Sequence, residues 1–165
     1  MNSNKPNVVI INCDDLGYGD LGCYGSQKNK TPYIDALARE SMLFTSCYAA
    51  SPVCSPSRAA LLTGCYPPRV GIDRVLFPAD PLGLSKEEFT LPGLFKNAGY
   101  ATAIVGKWHC GDQPEFVPCE FGFDGYFGLP YSNDMGIMVD RSDPELFYPL
   151  PLIAGGEVVE QQPDQ

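Results

Sequence analysis

The sequence predicts an α/β fold in which a mostly parallel sheet is flanked by helices. Two short runs of apolar, mainly β-branched residues, 7–12 and 101–105, have the composition of strands that are buried on both faces. Between these runs, apolar residues recur at helical spacing in 34–42. A chain in which strands and helices alternate is typical of a sheet whose strands are predominantly parallel.

Local signals order the elements in the first third of the chain. The strand at 7–12 is followed by a glycine-rich loop over 17–25. Thr31 followed by Pro32 is typical of an N-cap with proline at the first helical position, which predicts a helix start. The apolar and β-branched composition of 43–48 predicts a second strand.

Two glycines indicate where later helices end. The pattern predicts a short helix over 57–63 that Gly64 ends, and another helix over 91–98 with Gly99 in the position that follows the C-cap. No long periodic segment is visible in 111–165, which we expect to be rich in loops.

Composition sets the class of protein. A chain of 165 residues is about one domain, and its 17 glycines and 16 prolines predict many turns. The formal net charge of −9 argues against broad binding to nucleic acid or to anionic membranes. We expect no transmembrane segment, because no apolar run approaches ~18 residues. The first residues lack the apolar stretch of a signal peptide, which leaves the compartment open.

The chain has seven cysteines, an odd number, and no C-x-x-C pair. This pattern disfavours both a complete disulfide framework and a standard zinc site. We expect most of the cysteines to be reduced thiols, with at most one that does chemistry.

Asp14 and Asp15 follow the first predicted strand directly. Open α/β sheets bind their ligands at the carboxyl ends of strands, and adjacent carboxylates suit a hard cation such as Ca²⁺ or Mg²⁺. A solvated turn or a helix N-cap is the alternative explanation of this dipeptide.

The segment Cys54-Ser55-Pro56-Ser57-Arg58 precedes the predicted helix at 57–63. The N-terminus of a helix presents free N–H groups and a positive dipole end to an anion, and Arg58 adds a fork of donors for an oxyanion. A capped helix start with a packed thiol is the alternative.

The string C-x-P-S-R-x-x-x-x-T-G, which begins at Cys54, resembles the signature of the type I sulfatases. Other segments resemble that family's N-terminal metal motif, its first helix, its G-K-W-H element and two segments of its arylsulfatase A branch. They begin at Asp14, Thr31, Gly106, Leu129 and Leu150. The resemblance extends from about Pro6 to the last residues and implies an alkaline-phosphatase-like fold.

The resemblance implies that a maturation enzyme oxidises Cys54 to Cα-formylglycine. In this family the hydrated aldehyde attacks the sulfur of a sulfate ester, so that one difficult step becomes two. The resemblance also implies a Ca²⁺ ion, held by Asp14, Asp15 and the modified Cys54. A sulfated aryl compound or carbohydrate is the implied substrate.

The same resemblance implies a role for four further side chains. Arg58 would fix the formylglycine, Lys107 would bind a sulfate oxygen, and His109 would relay a proton. Ser132 would line the sulfate pocket. Without the resemblance, Lys107 and His109 would be explained as solvated polar residues at the end of a strand.

Members of the sulfatase family are much longer than this chain. We therefore expect 1–165 to be the N-terminal part of a sulfatase catalytic domain, with core motifs in 6–110 and a loop-rich segment in 111–165. The isolated chain is expected to have little or no activity. The alternatives are a non-catalytic remnant or interaction fragment, and a phosphoryl-transfer enzyme of the same superfamily, which would typically carry Ser or Thr as nucleophile.

Overall fold

A computed structural model describes residues 5–137 and 149–163 of the protein. The chain forms two compact units, Met1–Tyr48 and Ala49–Gln165, and each is described by itself. In the described part of the chain, no helix is long and apolar enough to cross a membrane.

The first unit contains one α-helix, α1 at Pro32–Glu40, within the residues described. The predicted helix start is confirmed, since Thr31 is the N-cap and Pro32 the first helical residue. The Thr31 side chain does not cap the helix, however. Its hydroxyl donates to Asp35 Oδ1 (2.9 Å) and accepts from the Gly22 N–H (2.9 Å), which ties α1 to the glycine-rich loop.

The strands predicted at 7–12 and 43–48 are wrong, because neither segment is a strand in the structure. Residues 7–12 are exposed rather than buried, with Val9 82% and Ile11 83% exposed. An apolar β-branched run becomes a strand only when a neighbouring strand satisfies its backbone and other elements cover its faces. No strand pairing among the described residues includes either segment.

The second unit contains helices α2 at Cys54–Thr63 and α3 at Leu91–Asn97. Both predicted helices are confirmed with their glycine ends: Gly64 is left-handed with φ 69°, and Gly99 has φ 80°. Helix α2 begins three residues earlier than its predicted start, so Cys54 belongs to its first turn. The N–H of Ser57 closes that turn on the Val53 carbonyl (3.0 Å).

The described residues of the second unit form a four-stranded sheet in the order β1-β2-β3-β4. Its strands are β1 (Ala103–Val105), β2 (Gly125–Gly128), β3 (Pro151–Ala154) and β4 (Glu157–Gln161). Strands β1 and β2 are parallel, whereas β2 with β3 and β3 with β4 are antiparallel. The predicted α/β class is confirmed, but this part of the sheet is mixed rather than mostly parallel.

The predicted strand at 101–105 is present as the shorter β1, although it is not buried on both faces: Val105 is 79% exposed. Three of the strands, β2, β3 and β4, lie in 111–165, which the sequence indicated to be rich in loops. Strands β3 and β4 form a hairpin whose turn residues, Gly155 and Gly156, both have positive φ angles.

An apolar cluster among the described residues of the second unit joins α2, the residues after β1 and the sheet. Trp108 lies in it at 1% exposure, packed against Phe121 and Phe123. Its buried members are Ala59, Val70, Ile72, Leu76, Leu84, Trp108, Cys110, Phe121, Tyr126, Tyr131, Leu150 and Ile153. The segment after 110 therefore contributes much of the core that supports α2.

Candidate active site

Cys54 lies in the first turn of α2, and Arg58 lies one turn after it on the same helix. Residues four apart on a helix face the same side, so both side chains lie on one stripe of α2. Each is half-buried, and Cys54 is a free thiol. The pair is thus held at the positive end of the helix dipole.

The residues after β1 extend its pairing with the neighbouring strand. Along this stretch the N–H groups of Gly106, Trp108 and His109 donate to the carbonyls of Phe127 (2.8 Å), Leu129 (3.1 Å) and Pro130 (2.8 Å). Lys107 and His109 therefore lie on a braced backbone at the carboxyl end of β1.

This loop has two unusual backbone features. A Cβ at position 128 would collide with the backbone of Gly106. Because Gly128 has no Cβ, the two backbone segments approach each other closely. His109 has a left-handed backbone with φ 60°, a conformation that costs a non-glycine residue of order 1–3 kcal/mol. Asp15, Ala79 and Gln162 are the other described non-glycine residues with a positive φ angle.

His109 is completely buried. Its Nε2 lies 2.9 Å from the carbonyl oxygen of Leu76, and its ring meets the ring of Tyr131 edge-on at 5.1 Å. Ser55 on α2 contacts the same Leu76, because its Oγ accepts a hydrogen bond from the Leu76 N–H (3.0 Å). Leu76 thus joins the first turn of α2 to the loop that carries Lys107 and His109.

Burial in the second unit shifts the pKa values of two side chains near His109, those of Cys110 and Tyr131. Burial raises the pKa of the Cys110 thiol to about 12, and the positive charge of Arg58 acts in the opposite direction. The Arg58 guanidinium therefore influences the residue next to His109. Burial, together with the carboxylates of Asp112 and Asp80, raises the pKa of Tyr131.

Ser132 follows Tyr131 and precedes a short 3₁₀ helix at Asn133–Met135. Its side chain is half-buried, and its carbonyl accepts from the Met135 N–H (3.0 Å). Cys54, Arg58, Lys107, His109 and Ser132 are thus all carried by the second unit.

Asp14 and Asp15 belong to the first unit, where both are exposed in a turn. Asp15 has a left-handed backbone with φ 59°. Carboxylate oxygens are the ligand type that Ca²⁺ prefers, yet two carboxylates fall short of the 6–8 oxygens that it takes. Within 5–137 and 149–163, no group of three or more His, Cys, Asp or Glu side chains is arranged to hold a metal. The donor type fits calcium, and the number of donors does not.

Sequence reasoning missed Leu76 and Tyr131 as contacts of His109, and Ser55 as a contact of Leu76. Ser55 occupies the unspecified position of the C-x-P-S-R string, so the motif carries no signal for it. Leu76 lies 21 residues after Ser55 and 33 residues before His109, and no local pattern predicts those contacts.

Comparison with known proteins identifies the family. Residues 6–150 match the family model described as Sulfatase. N-acetylgalactosamine-6-sulfatase of Sus scrofa is 49% identical over 133 residues, which are 76% of this chain and 26% of that protein. Arylsulfatase A of Homo sapiens is 42% identical over 175 aligned positions, which cover 98% of this chain and 34% of that protein.

Solved structures also resemble this chain. A sulfatase from work on glycosaminoglycan metabolism by Bacteroides thetaiotaomicron is 38% identical, with a TM-score of 0.78, over 95% of this chain and 32% of that one. A second structure, in complex with its substrate D-glucosamine-2-N,6-O-disulfate, is 30% identical with a TM-score of 0.66, over 90% of this chain and 26% of that one. The chain spans about a quarter to a third of the length of these relatives. It belongs to the sulfatase family.

Proposed function

We propose that this chain is the N-terminal part of a sulfuric ester hydrolase that uses a formylglycine derived from Cys54 and a calcium ion. The observation that carries the proposal is the link between α2 and the loop after β1. Ser55, next to Cys54, and His109 contact the same residue, Leu76. Membership of the sulfatase family supplies the reaction class.

The formylglycine would supply a hydrated aldehyde with two hydroxyls, one to attack sulfur and one to allow release of sulfate. The proposed position suits such a group, because the first turn of α2 offers a positive dipole end to a sulfate ester. Calcium would supply positive charge for the sulfate oxygens, with Asp14 and Asp15 as two of its ligands.

Side chains of the second unit would orient the modified residue, bind the sulfate and transfer a proton. Arg58 would orient the residue at position 54 and balance negative charge near it, since its own charge is felt within this packed region. Lys107 would bind one sulfate oxygen as a point charge. His109 would hold and transfer a proton, because an imidazole exchanges protons near neutral pH. Ser132 would line the sulfate pocket.

The proposed substrate is a sulfated aryl compound or carbohydrate. The relatives support this class through their names and their bound substrate, which include an arylsulfatase, an N-acetylgalactosamine-6-sulfatase and a complex with a disulfated glucosamine. A sulfatase-maturation enzyme is the proposed partner that modifies Cys54.

We propose little or no turnover by the 165-residue chain alone, because Asp14 and Asp15 are too few ligands for calcium. One observation favours a non-catalytic interaction fragment as the second candidate. The apolar residues of 8–11 are exposed, which is unusual for a run of this composition.

The proposal is tested by co-expressing the chain with a sulfatase-maturation enzyme and measuring the mass of the peptide that contains residue 54. We expect a loss of about 18 Da, the difference between a thiol and an aldehyde. Cys65→Ala is the matched control, because Cys65 is a half-buried free cysteine that follows the C-cap of the same helix.

The loss should persist in Cys65→Ala and disappear in Cys54→Ala. An unmodified Cys54, under conditions in which a full-length sulfatase is converted, would contradict the formylglycine proposal. Turnover of an aryl sulfate by the converted chain at the rate of full-length relatives would contradict the proposal that it is nearly inactive alone.

A further inference from the structure

The backbone N–H and the backbone carbonyl of Leu76 both form hydrogen bonds with side chains. Its N–H donates to Ser55 Oγ at 3.0 Å, and its carbonyl oxygen lies 2.9 Å from Nε2 of His109. Ser55, Leu76 and His109 are all completely buried. Because no water reaches these groups, each hydrogen bond stabilises the arrangement by avoiding an unsatisfied buried polar atom.

The Leu76 carbonyl determines which nitrogen of the His109 ring carries hydrogen. A carbonyl oxygen only accepts hydrogen bonds, so Nε2 must be the donor in this contact. A neutral imidazole has one N–H, and the ring can then take up a proton only at Nδ1. The edge-on contact with Tyr131, at 5.1 Å and 82°, restricts rotation of the ring.

We propose that Ser55 is a positioning residue for His109, which it serves by holding Leu76 so that the imidazole remains the Nε2–H tautomer. This inference rests on the proposed role of His109 in proton transfer. It gives a function to the one position of the C-x-P-S-R string, between Cys54 and Pro56, that the motif leaves unspecified.

Loss of the Ser55 hydroxyl would leave the Leu76 N–H buried without its acceptor. A buried N–H without a partner is energetically costly, so the backbone at Leu76 would move toward another acceptor. The carbonyl of the same residue would move with it, and its hydrogen bond to His109 would weaken.

The experiment uses the full chain labelled with ¹⁵N-histidine and ¹⁵N-glycine. His109 is the only histidine, so every ring signal in the NMR spectrum belongs to it. At about pH 8, above the usual titration of histidine, the ring nitrogens report the neutral tautomer. The second readout is the rate at which the ring N–H exchanges with water, with the Gly106 amide, bonded to Phe127, as internal reference.

We expect a slowly exchanging Nε2–H tautomer in the unaltered chain. Ser55→Ala should accelerate ring N–H exchange about tenfold relative to the Gly106 amide, as the loss of one buried hydrogen bond implies. Ser55→Thr keeps the hydroxyl and should restore slow exchange. Thr63→Ala is the matched control, because it removes a hydroxyl that bonds Ala59 on the same helix without contacting Leu76.

An Nδ1–H tautomer in the unaltered chain would overturn the inference without any substitution. So would a Ser55→Ala variant in which the ring N–H exchanges as in the unaltered chain, or in which it and the Gly106 amide accelerate by the same factor. The measurement needs neither formylglycine nor calcium. Its failure is therefore distinguishable from failure of the proposed sulfatase chemistry.

Discussion

The segments 7–12 and 101–105 have similar composition and different structures. The second contains β1, whose Ile104 is paired in register with Tyr126 of β2. The first is exposed and belongs to no strand pairing among the described residues. The composition of a segment indicates that it is able to become a strand, whereas a partner along its edge decides whether it does.

The same contrast extends to the two units. No residue in 5–48 is buried, whereas the second unit contains a core that includes Trp108 and Leu76. The candidate catalytic residues Cys54, Arg58, Lys107 and His109 are attached to the elements around that core. The candidate calcium ligands, Asp14 and Asp15, are on the exposed unit. The difference predicts that the two sets of residues respond unequally to perturbation.

The largest expected effect comes from truncating a core side chain. Ile72→Ala should lower the free energy of unfolding of the second unit by about 2–5 kcal/mol, because Ile72 is 1% exposed and its removal leaves a cavity. Urea denaturation followed by the fluorescence of Trp108, the sole tryptophan, measures this directly.

Ile11→Ala is the matched control, since the same change is made at a residue that is 83% exposed. It should change the free energy of unfolding by no more than about 0.5 kcal/mol. Equal losses in the two variants would show that the two units do not differ in how their apolar side chains contribute to stability.

A smaller effect is expected from an ion pair of the second unit. Arg74 donates to both carboxylate oxygens of Asp80, at 2.6 and 3.1 Å, and this holds the pKa of Asp80 below its usual value of 3.8. A carboxyl group with a lowered pKa stabilises the folded state fully above its ordinary pKa. That stabilisation is lost as the pH falls below 3.8 and through the folded-state value.

Asp80→Asn should therefore destabilise the second unit at pH 7, and the difference from the unaltered chain should shrink below about pH 4. The loss should be smaller than that of Ile72→Ala, because the Arg74 side chain is 50% exposed and water screens its charge. Glu40→Gln, an exposed carboxylate of the first unit, is the control. Urea denaturation midpoints of both chains, measured from pH 7 to below pH 4, test this direction. A stability difference that grew as the pH fell would contradict the lowered pKa of Asp80.

Features that depend on neighbouring residues were predictable from the sequence. The start of α1 at Pro32 and the ends of α2 and α3 at Gly64 and Gly99 follow from backbone preferences of single residues. The hairpin turn at Gly155 and Gly156 carries the same kind of signal, since two adjacent glycines suit a tight turn with positive φ angles. The strands on either side of it were nevertheless missed.

Features that depend on distant contacts were not predictable. The exposure of 7–12 depends on which strands are available to pair with it, and its composition is silent on that. The candidate active site likewise depends on contacts between residues that are far apart in the sequence. The resemblance named Cys54 and His109. The contacts that link Ser55, next to Cys54, to His109 through Leu76 span 21 and 33 residues and leave no signal in the local sequence.

The second unit holds its candidate catalytic residues on a core of its own. Hydrogen exchange at single-residue resolution tests this arrangement most directly. We predict strong protection of the amides of Leu76, Gly106 and His109, which donate to Ser55, Phe127 and Pro130, and rapid exchange throughout 8–11. Protection in 8–11 as strong as at Gly106, or rapid exchange at Leu76 and His109, would contradict the account.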